Sequence, residues 1–481
     1  MKVLIINEPY ISGFNRAQRW AGRTRGRALR APDWLAYAAA VLERAGVDAK
    51  LFDFPAEDRD KSDLARLVRN EDPDYVVLDS TTPSIYSDID CARICKEQSR
   101  TKVIMVGPHA SALPEETLRI AEGAVDVIAI GEYDYTVLDI VNNDHDLKAV
   151  KGICRLENGE PVRTEPRPLI DDLDSLPFPA WHQLDLMKYF DGSKLYPYID
   201  IFSGRGCPHR CVFCLWPQVM HGHKVRLRSP QNVVDEIEYD IRLYPQVVNG
   251  GEFFFEDDTF TLLKPNAMAI CEEILHRGMK LTFSVNARAD TADEELFRLL
   301  KMAGCRQLLV GLESGDHGML ARMNKRESLD DGHRFMDLAK RSGLQVHGCF
   351  VLGLPGENRD SMERTIQYAL ALGLDTVQFS AAVPFPGTKY FNYCRDAGLL
   401  KNLRWNEWLS DGEQAPVVEY PNLSKDDVVQ AVDRGLKCFY LRPAYMIKFL
   451  LATRSTADLY RKLRGARNFF SYLCEGRGGH G

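Results

Sequence analysis

No uninterrupted apolar run in this 481-residue chain is long enough to cross a bilayer, and no repeat or low-complexity tract breaks its composition. A polytopic membrane protein, a solenoid and a disordered linker are therefore excluded. Positive charge is also in short supply. The 61 Lys and Arg residues face 68 Asp and Glu, a net charge of −7, which argues against a protein whose main task is to hold a nucleic-acid backbone. Met1–Asn7 reads as a strand, because it lacks the basic leader, longer apolar run and small-residue cleavage site of a secretory signal. The expected address is the cytoplasm, where the 12 cysteines are thiols or metal ligands rather than a disulfide framework. At roughly 150 residues per domain, the length predicts about three units, each able to bury a core.

The first unit, 1–140, alternates short apolar runs with helical patterns. Val3–Asn7, Ala49–Phe54, Tyr75–Asp79, Lys102–Val106 and Val125–Ile130 are the strand candidates, a rhythm that predicts a doubly wound parallel sheet of Rossmann or flavodoxin type. Residues 32–45 form a helix, opened by Pro32 and Asp33 and closed by Gly46. The connection before it, Glu8–Ala31, is far longer than an ordinary βα loop. It carries Arg16, Arg19, Arg23, Arg25, Arg27 and Arg30, with no acidic residue after Glu8. Two readings stand: a solvated basic loop, or a site for an anionic cofactor or substrate at the ligand-binding edge of the sheet.

Residues 141–195, with the proline-broken run Leu176–Trp181, read as a linker. A second series follows over 196–390: Pro197–Ser203, Phe253–Glu256, Leu281–Asn286, Arg306–Gly311, Val346–Leu352 and Thr376–Ala381 are strand candidates, each followed by a helical pattern. Six βα units predict a partial or full parallel barrel. Helical patterns dominate 391–481.

The most specific feature is the loop Gly204-Arg205-Gly206-Cys207-Pro208-His209-Arg210-Cys211-Val212-Phe213-Cys214. It places three thiols in C-x3-C-x2-C spacing directly after the first barrel strand. Loops after strands open on the C-terminal face, where such barrels do their chemistry. With no fourth cysteine nearby, an iron–sulfur cube on these thiols keeps one iron open to an outside ligand. The rival is a closed zinc site of Cys3His type, with His221 or His223 as the fourth ligand, in a non-catalytic binding protein. The other nine cysteines are scattered without ligand spacing and read as small core residues.

The C-x3-C-x2-C loop, with an aromatic just before its third cysteine, resembles the signature of radical S-adenosylmethionine (radical SAM) enzymes, and later strand-end motifs over 196–390 match in order. The resemblance implies that Cys207, Cys211 and Cys214 hold a [4Fe–4S] cluster. Its open iron would bind S-adenosylmethionine and its electron would release a 5′-deoxyadenosyl radical. It assigns Phe213 to the adenine, Asp257 or Asp258 in Phe255–Phe260 to the methionine amine, and Arg288, after Asn286, to the methionine carboxylate. Glu313 and Ser314 in Gly311–Gly315 match the ribose- or carboxylate-contacting position. Gly353 in Gly348–Glu357 matches the adenine-binding strand. The reductant implied is a flavodoxin or ferredoxin.

A doubly wound domain ahead of such a barrel resembles the cobalamin-binding domain of one large subclass. It points to Ser80 and Thr81, to Gly107 and His109, and to Gly131 and Glu132 as corrin contacts at successive strand ends. The D-x-H-x-x-G sequence that places a histidine under cobalt is absent, so His109 is expected at the corrin edge or in loop structure. Leu215-Trp216-Pro217-Gln218, with Gly222–Arg226 and Arg228–Pro230 after it, looks closest to the enzymes of hopanoid-lipid biosynthesis, with the anaerobic magnesium-protoporphyrin cyclase and cobalamin-dependent methylases further off. The resemblance implies methylation, ring contraction or cyclisation of a hydrophobic lipid- or tetrapyrrole-like substrate. The tail agrees: between Arg434 and Gly481 ten basic residues face only Asp458 and Glu475, interleaved with aromatic and aliphatic residues. Basic amphipathic helices of this kind lie on an anionic membrane surface, or cap the barrel with their apolar face. No recognition module for nucleic acid precedes them.

Overall fold

The computed structural model describes residues 1–447 except 18, 25, 402, 403, 411, 412 and 444, and beyond 447 only 459, 462, 463 and 465–467. Five short strands build the first sheet, all but the edge strand β2 almost wholly buried: β1 (Lys2–Asn7), β2 (Asp48–Asp53), β3 (Tyr75–Leu78), β4 (Lys102–Met105) and β5 (Val127–Ala129). They are parallel in the order 2-1-3-4-5, as the apolar runs predicted. The order reverses between β1 and β3, so the crevice for a ligand lies at the ends of those two strands. An antiparallel hairpin, β6 (Ile153–Glu157) and β7 (Glu160–Arg163), extends the sheet beyond β5. These residues fall in the stretch read as linker. Asn158 and Gly159 turn the hairpin with φ of 53° and 86°, the left-handed pair that Asn-Gly supplies at little cost.

The second sheet runs β8 (Tyr198–Ile201), then, after the short antiparallel pair β9 (Gly204–Arg205) and β10 (Arg226–Leu227), β11 (Glu252–Phe255), β12 (Phe283–Ala287), β13 (Cys305–Glu313), β14 (Gln345–Leu352) and β15 (Thr376–Ala381). β8 and β11–β15 pair in parallel and in chain order. β15 and β8 do not pair, so the barrel is partial, with a gap between these edges. The helix Lys425–Tyr440 packs on β15 beside that gap, its Tyr440 hydroxyl donating to the Val377 carbonyl at 2.6 Å. Most of the basic tail lies outside the described residues.

Two buried arginine forks join the domains. Arg205 on β9 grips Asp134 with both nitrogens, at 2.8 and 3.0 Å, and stacks its guanidinium over Trp34 and Tyr37. Arg226 on β10 grips both oxygens of Glu132 at 2.7 Å. One apolar core is continuous across this seam, from α1 (Asp33–Arg44) to the barrel helices.

Candidate functional site

The thiol loop is built on a backbone that only glycine permits at one point. Gly206 has φ of +95°, and a Cβ there would stand 2.1 Å from the Lys224 carbonyl oxygen. Beyond it the loop is pinned from several sides. His223 Nδ1 donates to the Cys207 carbonyl at 2.8 Å and Asn324 to that of Arg210 at 2.9 Å. The Val212 amide donates to Met323 at 3.0 Å and its carbonyl accepts from Tyr390 at 3.0 Å. Gln218 donates to the carbonyls of Cys211 and Cys214. Cys207, Cys211 and Cys214 thereby line one wall of a single cavity of about 1590 Å³.

Burial pushes all three thiols up from their ordinary range, and for Cys214 the carboxylate of Asp258 and the neighbouring thiols add to the effect. Lys325 and Arg288 act the other way on Cys211, and Arg19 on Cys214. Thiolate ligation releases these protons, and the cations at the wall offset part of the charge that remains. The closed zinc alternative lacks its fourth ligand. His221 Nε2 stands 2.6 Å from Asp258, its ring beside the paired indoles of Trp34 and Trp216, and His223 faces a carbonyl. Three thiols on one wall, without a fourth, are the donor set for a cube with one open iron.

The strand ends around the thiols are placed as follows. Phe213 lines the cavity, met edge-on by Trp20 at 6.1 Å. Asp258 lines it too, held well below the usual carboxylate range, against the cost of burial, by His221 and Arg19. Its neighbour Asp257 turns away, accepting from the Ser203 hydroxyl at 2.8 Å, and burial raises it to about 7. Arg288 is at the wall, but its fork is already engaged by Asp290 at 2.9 Å and Glu327 at 2.8 Å, which the expectation of a vacant carboxylate anchor did not include. Glu313, with φ of 61° at the end of β13, faces Lys325 Nζ at 3.2 Å. Ser314 sits behind the wall, its hydroxyl 3.1 Å from that of Thr365. Gly353, with φ of +94°, packs on Val428 and donates its amide to Glu357 at 2.6 Å. Lys325 and Glu327 were missed: no motif spacing marks the run Asn324-Lys325-Arg326-Glu327, yet both side chains are buried at the site. Desolvation lifts Glu327 to about 7.

Five of the six arginines of the long loop are described. Arg16 is buried against Glu8 and Asp88, Arg19 meets Asp258 at 2.7 Å, Arg27 meets Glu413, and Arg30 bridges Asp191 and Glu256. Arg23 lines the cavity. The loop thus docks on the chain's own carboxylates, and much of its charge is answered there rather than by an outside anion.

At the edge of the first sheet, Ser80 donates to the Val106 carbonyl at 2.5 Å and accepts from the Ala110 amide at 3.1 Å. Thr81 pairs with Ser84 at 2.6 Å. Gly107, at φ +95°, fits because a Cβ would overlap Asp79 and Ser80. Gly131 donates to Ser111 at 3.0 Å. Glu132, expected at a corrin, is instead the carboxylate gripped by Arg226. His109 is buried between Thr82, 3.2 Å from Nδ1, and the edge of Trp405, and its Nε2 has no hydrogen-bond partner. Burial holds its imidazole neutral, with a pKa pushed down to about 3.

This combination, a doubly wound domain clasped to a six-stranded partial barrel with three thiols at its mouth, belongs to the radical SAM superfamily, in the group that also carries a B12 binding domain. The superfamily model matches residues 201–369 and the B12 binding domain model residues 31–141. A Pyrococcus horikoshii protein described as an uncharacterized methyltransferase is 31% identical over 458 residues, covering 93% of this chain and 94% of its own. The anaerobic magnesium-protoporphyrin IX monomethyl ester cyclase of Cereibacter sphaeroides is 26% identical over 93% of this chain and 72% of its own, and the hopanoid C-3 methylase of Methylococcus capsulatus 27% identical over 74% and 67%. The fold matches that of the radical S-adenosylmethionine methyltransferase TsrM of Kitasatospora setae, solved with cobalamin and a [4Fe–4S] cluster, with a TM-score of 0.72 and 16% identity over 99% of this chain and 100% of that one.

The protein is accordingly a cobalamin-dependent radical SAM enzyme, requiring a reductant and a small-molecule substrate. The three thiols fit the cluster. At the edge of the first sheet Ser80, Thr81 and Glu132 have their side-chain oxygens engaged within the protein, and His109, 1% exposed against Trp405, lies outside the cavity lining. No helix among the described residues is long and apolar enough to cross a membrane.

Proposed function

We propose that this chain transfers a methyl group to a carbon atom of a hydrophobic substrate. When bound, its cofactors supply one-electron cleavage of a sulfonium and delivery of a methyl group to unactivated carbon. In this reading Cys207, Cys211 and Cys214 ligate the cluster. Phe213 offers a flat apolar wall beside them, and Glu313, Lys325, Arg288 and Asp258 present paired charge to the polar end of S-adenosylmethionine. The loop 19–30 closes the barrel mouth and keeps water from the reacting centre.

One observation carries the reading: the thiols open into the same large cavity whose walls include Phe254, Leu309, Val351, Phe379 and Leu436. Such walls suit an apolar guest. The names of the Pyrococcus and Methylococcus relatives support methyl transfer, and the Leu215–Gln218 run supports a hopanoid-like lipid. Flavodoxin or ferredoxin is the proposed electron donor, and the basic tail the proposed contact with an anionic membrane.

The test is anaerobic reconstitution with iron, sulfide and cobalamin, then reduction with S-adenosylmethionine and candidate lipids. Brown protein, 5′-deoxyadenosine or S-adenosylhomocysteine, and a product heavier by one methyl are expected. Colourless, zinc-loaded protein would overturn the reading. A product of unchanged skeleton mass and altered connectivity would replace methyl transfer with cyclisation or ring contraction. Loss of liposome sedimentation on deleting the tail is expected; unchanged sedimentation would remove the membrane contact.

A further inference from the structure

The cavity does not stop at the strand ends where the thiols lie. Along β13 it is lined by Cys305, Gln307, Leu309, Gly311 and Glu313, every second residue from the first of the strand to the last, and at the lower end also by Arg306, whose guanidinium pairs with Glu252 at 2.8 Å. Along β14 it is lined by Gln345, His347, Cys349 and Val351, again in alternation, and on β15 their register partners Thr376, Gln378 and Ser380 share that face; Phe350, Val377 and Phe379 also line the cavity, from the other face of the β15 edge. Side chains two apart share one face of a strand. The inward face of three adjacent strands is therefore open over its whole length, about 26 Å for the nine residues of β13 at about 3.3 Å per residue.

This is unusual for a parallel barrel, whose interior is ordinarily filled by layers of branched side chains. Here the volume of about 1590 Å³ exceeds the roughly 300–1,000 Å³ of a site for one drug-sized ligand. The lumen has a chemical gradient. Its upper end, beside the thiols, carries Arg288, Glu313 and Lys325; its middle, Phe254, Leu309 and Val351, with Cys349, Gln378 and Ser380 on the β14–β15 side; its lower rim, Gln307, Gln345 and Thr376 with the charged Arg306 and Asp375. On the wall formed by β8 and β11, Arg30 is paired with Asp191 at 2.9 Å and Glu256 at 3.4 Å, so the charges there neutralise one another. The gap between β15 and β8 is flanked by Leu436, Tyr440, Leu441 and Met446, which also line the lumen.

We infer that the barrel is a through-channel for an extended, chain-like apolar substrate, with the reacting carbon beside the thiols and the distal end at the opposite rim. The inference rests on the proposed hydrophobic substrate and specifies its shape: a chain long enough to reach from Glu313 to Gln345, in place of a compact molecule confined to the mouth.

The experiment is equilibrium dialysis of reconstituted holoenzyme against radiolabelled oleate and octanoate, below their aggregation limits. Two variants plug the lower end. Thr376→Trp fills the lumen, at the cost of the Thr376 contact with His347 Nδ1 at 2.7 Å. Gln345→Trp sits at the exposed rim, where a large side chain is tolerated. Saturable, one-to-one oleate binding is expected, weakened at least tenfold in both variants, while octanoate binding changes less than twofold. Oleate that does not saturate, or that binds both variants as it binds the wild type, would overturn the channel. If circular dichroism shows Thr376→Trp unfolded, Gln345→Trp alone decides. Cluster content and S-adenosylmethionine cleavage of the wild type are read on the same samples. Failed oleate binding with cleavage intact removes the channel only; a wild type without cluster or cleavage removes the proposed function, whatever oleate does.

Discussion

Glu132→Gln tests the seam between the domains. The carboxylate of Glu132 and the guanidinium of Arg226 are 3% and 2% exposed and meet through two contacts of 2.7 Å. Glu132 also accepts the Ile170 amide at 3.1 Å, and Arg226 donates to the carbonyls of Ile170 at 2.8 Å and His221 at 2.7 Å. Glutamine keeps the shape but leaves Arg226 buried without its counter-charge. Breaking a buried pair from one side costs about 3–5 kcal/mol, or roughly two to three and a half powers of ten in the folding equilibrium at about 1.4 kcal/mol per tenfold. Replacing both partners by apolar residues of similar size, Glu132→Leu with Arg226→Met, removes the uncompensated charge and should cost far less than the two single changes summed. Urea denaturation at neutral pH, followed by tryptophan fluorescence and far-ultraviolet circular dichroism, measures both. Trp34 lies at the seam, so the fluorescence change should precede the loss of helix in Glu132→Gln. A single variant within about 0.5 kcal/mol of the wild type, the range of an ordinary surface change, would refute the clasp, as would a double variant as unstable as the sum.

Cys211→Ala should retain the circular dichroism of the wild type but lose most of its reconstituted iron and all cleavage of S-adenosylmethionine; full iron content in this variant would remove Cys211 from the ligand set. His109→Leu should flatten the acid limb of stability. Burial pushes the folded imidazole down to about 3, whereas an unfolded histidine titrates near about 6.5. Between those values the unfolded chain takes up a proton that the folded one refuses, so stability falls as pH falls, by at most about 1.4 kcal/mol per unit. The difference between the urea midpoints of the two proteins should be constant above that window and change steadily in favour of His109→Leu as pH falls through it, from 7 to 6 to 5; parallel curves would show that His109 does not carry this term. Asp258→Asn removes the charge that holds Arg19, and trypsin should then cleave after Arg19 several-fold faster; an unchanged cleavage rate would show that the loop is held by other contacts.

Apolar periodicity located all six barrel strands within a residue or two, because each carries a short buried run, β-branched and aromatic in most and leucine-rich in β13, between helical patterns. It passed over β6 and β7, whose Cys154-Arg155-Leu156-Glu157 and Glu160-Pro161-Val162-Arg163 are too polar to stand out, although Asn158-Gly159 is itself a hairpin signal. At the site, the thiol spacing was legible because the three ligands are local in sequence. The charges around it were not. Glu132 meets a partner 94 residues away and Arg19 one 239 residues away, and no spacing rule joins such pairs. Glu132 therefore looked like a cofactor contact, and Lys325 was not singled out. The same limit governs Arg288: its fork was visible as chemistry, but not its occupation by Glu327.

The loop between β1 and α1 has an architectural corollary. Because Arg19 and Arg30 neutralise Glu256 and Asp258 at the head of β11, the leading domain furnishes part of the barrel's own lining. A barrel excised without its leader would leave Glu256 without Arg19 and Arg30 and Asp258 answered by His221 alone, beside thiols where anionic ligands are least welcome. The two halves are thus a single reaction vessel whose lid is threaded from the far side, and neither can be exchanged between relatives without recutting that thread.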